Sequence, residues 1–411
     1  MMLDARRAER RFVLLTATRW LPVGLVLGLT VLLPLERGLS LAEVGGLLAI
    51  AGFVSLGLEL PTGGLADAIG RRPVLVVAAS IAVASTVVFV LADSALWFAV
   101  ALVLQGVFRA LDSGPLEAWF VDAVHASDPA AQPDRGLSRA GATLGGAIAG
   151  GALLGGVLVA WHPVTAWSPL VPPFLVAATC QFAHLVLTVL LVREPPRVRI
   201  AVDPGERPEA VVRSAVRLLR GSPTLRWLVA VEVFWAVAMI AFETLTPVRL
   251  AELLGSEDAA GALFGPAAAA AWALYAAGSW LAGRASRRLG VAATAMLSRA
   301  LNGLFVVLMS LAAGAVGLVV AFWLAYLTHG ANGPMHNALL HRQSGPRTRT
   351  IVLSINSAVA GGVCSLALLV LLPLAEASST TLAFALAGAF SLVGVACYVP
   401  AWREERASRA G

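Results

Sequence analysis

Of 411 residues, 58% are hydrophobic and only 13% are charged, and the mean hydropathy is +0.82. A soluble globular core needs far less apolar surface, so lipid is the solvent for most of this chain. The net charge of +6 comes from 30 basic residues, all arginine; loops facing anionic lipid account for it without a nucleic-acid partner.

A membrane-spanning helix uses about 20 apolar residues. Runs of that length occur in chain order at 12-33, 41-61, 73-92, 95-118, 137-160 and 170-192, and then at 225-248, 260-282, 292-313, 315-338, 351-373 and 381-401. They predict twelve spans, numbered here in that order. The first is too long for a signal-peptide core and lacks a small-x-small cleavage pattern, so it reads as a retained helix. The polar stretch Arg193 to Arg226, opened by Pro195, Pro196, Pro204 and Pro208, divides the chain into similar halves. The expected organisation is an N-terminus over 1-11, a six-helix bundle over 12-192, a linker over 193-224, a second bundle over 225-401 and a tail over 402-411. Within the linker, Glu209 to Leu219 reads as a short amphipathic helix on the membrane surface.

Arginine placement orients the chain. Arg19, Arg109 and Arg299 fall deep inside spans, Arg37 and Arg249 fall in loops on one side, and all the rest lie in loops or at span ends on the other side. Positive charge collects in the cytoplasm, so both termini and the linker are expected there, in a bacterial inner membrane. Cys180, Cys364 and Cys397 lie in spans without ligand spacing, and no metal or cofactor is expected.

The halves echo one another at an offset of about 220 residues. Gly63 to Gly70 after span 2 parallels Gly283 to Gly290 after span 8, and Arg109 to Pro115 in span 4 parallels His329 to Pro334 in span 10 with a one-residue slip. Repetition of a six-helix unit suits two bundles that rock about a site near the bilayer midplane.

Between spans 2 and 3 the chain reads Gly63-x-Leu65-Ala66-Asp67-x-x-Gly70-Arg71-Arg72. This resembles the signature loop of the major facilitator superfamily, with Ala68 where the family has an arginine. The resemblance implies an all-α membrane protein of two six-helix bundles related by a pseudo-two-fold axis. It implies a latch role for Gly63, Asp67, Gly70, Arg71 and Arg72, in which Asp67 holds the outward-open state. Gly151-Ala152-Leu153-Leu154-Gly155-Gly156 in span 5 is similar to the motif of drug/proton antiporters, with Ala152 in place of proline. Gly151, Gly155 and Gly156 equally fit a close-packed interface helix, with Ala267 to Ala271 and Gly278 of span 8 as the facing small surface. Gln105-Gly106 resembles the family's span 4 motif, with Leu102 at the position of its buried arginine.

Ionisable groups inside spans face cavities or partners. They are Arg19, Glu59, Arg109, Asp112, Glu117, Glu232, Glu243 and Arg299. Asp112 lies three residues beyond Arg109, within side-chain reach on one helix face. Two readings stand: a proton-coupling pair, or a static ion pair that orients helices. His184, His329 and His336 rank below Asp112 as proton carriers. Trp20, Trp97, Trp161, Trp167, Trp227 and Trp402 fit an aromatic belt. Trp235, Trp272 and Trp323 lie deeper and, with Glu243 and Asn332, are candidates for a substrate cavity or for core packing.

The sequence holds no His-Glu-x-x-His motif, no Gly-x-Ser-x-Gly elbow and no lysine to cradle a phosphate. The expectation is a monomeric secondary transporter rather than an enzyme, moving a small organic molecule by alternating access. Protons are the expected coupling ion and export of a drug-like compound the expected direction; nutrient uptake is the alternative.

Overall fold

The computed structural model describes residues 4–128, 131–194, 213, 217–345 and 348–410. Twelve helical stretches are long and apolar enough to cross a bilayer, running from Ala5–Glu36 to Thr380–Arg409, and the described residues form no strand. Large apolar side chains point outward, with Leu91, Trp161 and Val316 exposed by 73%, 71% and 81%. Lipid tails cover such faces, while each helix satisfies its own backbone. Most of the linker, including most of the surface helix expected over 209–219, lies outside the described residues.

The chain divides into two compact units, Met1–Val198 with Leu250–Trp272, and Arg199–Arg249 with Ala273–Gly411. In the first, Phe12 of span 1 stacks on Phe120 at 4.4 Å beside buried Leu15, Leu75 and Trp119. Gly151 and Gly155 of span 5 lie against the span 1 carbonyls of Leu21 and Leu25, and Gly156 lies against Ala262 and Pro266 of span 8. A Cβ on any of the three would strike these neighbours, so the glycine stripe lets backbones approach. Gly278, expected on the facing surface, instead packs on the Leu327 carbonyl of span 10 in the second unit. The core of that unit gathers Leu225, Leu228, Val231, Leu340 and Tyr398.

Several spans are irregular. Span 1 breaks between Leu25 and Leu29, where Gly28 has φ 78°. Span 7 passes through a π-helical turn at Ala241–Leu245, and span 12 through a 3-10 turn at Gly394–Tyr398. Span 4, expected as one helix, is two: Ala95–Asp112 and Pro115–Ser127, separated at Gly114 with φ 93°. Proline disfavours a helical residue before it and lacks the N–H that would extend the ladder.

The parallel Gly333-Pro334 does not break span 10, which is helical over Ala315–Arg342. Pro334 leaves the carbonyl of Gly330 without its intrahelical donor. The hydroxyl of Ser279 in span 8 donates to that carbonyl instead, and Gly330 packs directly against the Tyr275 backbone. A neighbouring side chain thus makes the proline tolerable.

Candidate functional site

Polar groups collect inside each unit. In the first, Arg19 Nε donates to Asp112 Oδ2 at 2.6 Å, and the guanidinium lies over the rings of Phe108 and Trp20 at 4.3 and 4.7 Å. The partner of Asp112 is therefore Arg19 of span 1 and not Arg109 one turn earlier. Both residues lie in the helix Ala95–Asp112, and span 1 supplies the guanidinium that takes the carboxylate at its last residue. Arg109, Glu59 and Glu117 are exposed.

Two cavities border Arg19. One, of about 160 Å³, is lined by span 1 residues from Thr18 to Thr30 together with spans 3, 4 and 6. The other, of about 470 Å³, is lined by span 1 residues from Phe12 to Trp20 with Arg109, Asp112 and Glu117. Arg19 lines both, and Asp112 lines the larger. His184 of span 6 faces the smaller cavity and is bonded through Nδ1 to Thr18 Oγ1 at 2.9 Å.

The second unit holds a longer network. Arg299 Nε of span 9 donates to the Tyr398 hydroxyl at 3.3 Å, and that hydroxyl is 3.0 Å from His336 Nδ1. His336 Nε2 lies 3.1 Å from Glu232 Oε1 and 3.0 Å from Asn356 Oδ1, while Asn356 Nδ2 donates to Glu232 Oε1 at 3.2 Å. Glu232 and His336 side chains are 5% and 2% exposed. The donor inventory allows one continuous chain. Tyr398 accepts from Arg299 and can donate its own proton to His336 Nδ1, which leaves Nε2–H for Asn356 and Glu232. Glu232 Oε1 is the acceptor at the end of that chain. Its Oε2 is buried with no hydrogen-bond partner among the described residues.

Further along the same unit, Tyr326 donates to Glu243 at 3.1 Å, and Glu243 sits in the π-helical turn of span 7. Trp235 stacks on His329 at 5.4 Å, and Arg299 lies 4.7 Å over the Trp235 ring. Asn332 is buried, with neither amide atom bonded among the described residues. Trp235, Glu243 and Asn332 are thus polar groups of one unit interior, whereas Trp272 belongs to the first unit and Trp323 is half-buried.

At the helix ends beside the signature loop, Gly70 has φ 111° and joins spans 2 and 3. Arg71 pairs with Asp122 at 2.9 Å, Arg72 Nη2 donates to the Val189 carbonyl at 2.8 Å, and the Arg72 amide donates to Glu194 at 2.6 Å. The Asp67 side chain and the surroundings of Gly63 lie outside the described residues. Glu405 plays the part of Glu194 in the other half, accepting from the amides of Val291 and Ala292 at 3.0 and 2.7 Å. Sequence reasoning noted Glu232, Arg299 and His336 singly but missed Tyr398 and Asn356, which carry no charge to mark them. It also missed both capping glutamates.

The model of the Major Facilitator Superfamily matches residues 12–273, well over half of the chain. The chain belongs to the Major Facilitator Superfamily. As a member it is a multi-pass membrane transporter. Solved structures of similar fold include a point mutant of the nucleoside transporter NupG, at TM-score 0.81 and 10% identity, covering 96% of this chain and 99% of that one. Another is a bacterial homolog of the human lysosomal transporter Spinster in an inward-facing, unoccupied conformation, at TM-score 0.72 and 18% identity, covering 97% of each chain. At these identities the likeness concerns the fold. A search of the curated proteins by sequence finds no match.

Proposed function

We propose that this superfamily member is a proton-coupled secondary transporter that exports a small, largely apolar organic solute by alternating access, from the cytoplasmic side of a bacterial inner membrane. The observation that carries the reading is the Glu232 carboxyl group: buried, held at Oε1 by Asn356 and His336, and with Oε2 open to one more partner. A proton added there cancels the charge that balances Arg299. The cation is then unbalanced in the membrane interior, which favours a rearranged state. Nothing else in the relay accepts a proton without reversing the Tyr398 hydroxyl. Arg19 and Asp112 form the second buried pair, and Arg19 lines two cavities.

Export is supported by the resemblance of the span 5 stripe to antiporters and by the mostly apolar wall of the smaller cavity. The nucleoside named for NupG falls within the same broad class of small organic solutes. The Gly63 to Arg72 loop serves as the conformational latch in this reading, with the Arg71–Asp122 pair beside it.

Reconstituted protein with an imposed pH gradient tests the assignment. Glu232→Gln should lower gradient-driven accumulation by roughly 5- to 150-fold, the range that typical coupling free energies span. Solute exchange at equal pH should stay near the unsubstituted level, because exchange needs no net proton movement. Accumulation that survives the change removes Glu232 from coupling, and accumulation with no gradient dependence at all removes the coupling itself.

A further inference from the structure

We infer that the smaller cavity of the first unit is a binding site for a single-ring aromatic compound bearing a carbonyl or carboxylate oxygen, uncharged or anionic and not cationic. The inference deepens the transport reading, and rests on it for treating the occupant as a substrate.

Size comes first. A cavity of about 160 Å³ is close to the ~150 Å³ of an apolar cavity that accepts benzene. It therefore has room for one ring with small substituents. The wall is suited to a flat ring. Phe89, Phe108 and Phe174 line it, with Phe89 packed on Phe174 at 5.2 Å between centroids. Aromatic faces and edges take a ring with geometric preference as well as apolar contact.

Polarity decides the edge and the charge. Arg19 uses Nε on Asp112; its terminal nitrogens have no hydrogen-bond partner among the described residues, and the side chain lines this cavity. A guanidinium fork of that kind recognises sp² oxygen, as carbonyl or carboxylate. Gln105 and Gln181 line the same space without side-chain partners among the described residues, and Gln181 Oε1 is buried. They offer an amide donor and acceptor to a heteroatom on the ring. Among the described residues no acidic side chain lines this cavity. Asp112 faces the other cavity and is neutralised by Arg19. A cation would meet Arg19 and no counter-charge, so the wall selects against it.

Calorimetric titration of the purified full-length protein with nicotinamide, benzoate and tetraphenylphosphonium tests this. At least one of the two ring probes should bind and the phosphonium should not compete with it. Gln105→Leu and Gln181→Leu should each weaken that binding by roughly fivefold, the loss of one hydrogen bond. Ala82→Phe, which puts a ring into the cavity, should abolish it; the glutamine variants, close in size to the original side chain, serve where Ala82→Phe does not fold. Failure of both ring probes to bind, binding that ignores all three substitutions, or phosphonium competition overturns the site. Glutamine-dependent binding without gradient-driven movement of the bound probe would leave the site standing and refute the transport reading. Gradient-driven transport of another solute, unaffected by Ala82→Phe, would do the reverse.

Discussion

The two units bury the same kinds of charge by different means. In the first, Arg19 and Asp112 touch directly, remain 10% and 16% exposed, and border cavities. In the second, Arg299 reaches Glu232 through Tyr398 and His336, with the Glu232 and His336 side chains 5% and 2% exposed. A direct pair beside cavities has water as an alternative partner, so its separation is cheap. A buried relay has none, so each donor direction depends on the next and a single proton changes the charge of the whole. The first arrangement suits a pair that opens, the second a group that loads and unloads a proton.

The comparison can be broken at the direct pair. Arg19→Met leaves Asp112 unpaired, and the expected loss of stability lies toward the lower end of the ~3–5 kcal/mol seen when one member of a buried pair is removed, since water reaches this one. Adding Asp112→Leu should restore most of it. Thermal unfolding in detergent measures both, and a double variant no more stable than the single would show that the carboxylate is already solvated.

A smaller effect is expected where the halves diverge in backbone. Ser279→Ala removes the donor that satisfies Gly330 opposite Pro334. Leaving that carbonyl unmet costs about 1–3 kcal/mol, whereas Ser80→Ala, an exposed hydroxyl bonded only to its own helix, should stay within about 0.5 kcal/mol. Equal melting temperatures for the two variants would refute the rescue.

The smallest effect concerns the caps. Glu405→Ala frees two amides at the start of span 9 and an ion pair with Arg342, with an expected cost of about 0.5–2 kcal/mol. Glu194→Ala frees the Arg72 amide in the other half, one capped amide against two, so the capping part of its cost should be smaller. The reverse order in unfolding measurements would mean that the halves are closed by other contacts.

Much of this was legible in the chain. Twelve apolar runs are set by the thickness of a bilayer, and the family loop and the internal echo are set by short, position-specific residues. The unassisted reading of Gly114-Pro115 and Gly333-Pro334 made them equivalent, because local sequence is equivalent. Only the fold distinguishes them: span 8 brings Ser279 to the Gly330 carbonyl opposite Pro334, whereas span 2 brings Thr62 to the Ala110 carbonyl, one residue before the Leu111 carbonyl opposite Pro115. Likewise, Arg109 and Asp112 are neighbours on one helix, yet Arg19 of span 1 takes the carboxylate.

What the sequence determined alone is the solvent, the number of spans, the family and the roster of intramembrane charges, since each follows from hydropathy or from residues adjacent in the chain. Tertiary structure decided the partners. Arg19 lies 93 residues from Asp112, and Glu232 lies 104 and 124 residues from His336 and Asn356. Hydrogen bonds and ion pairs act over about 3 Å, and no local pattern can report which distant helix supplies the other atom.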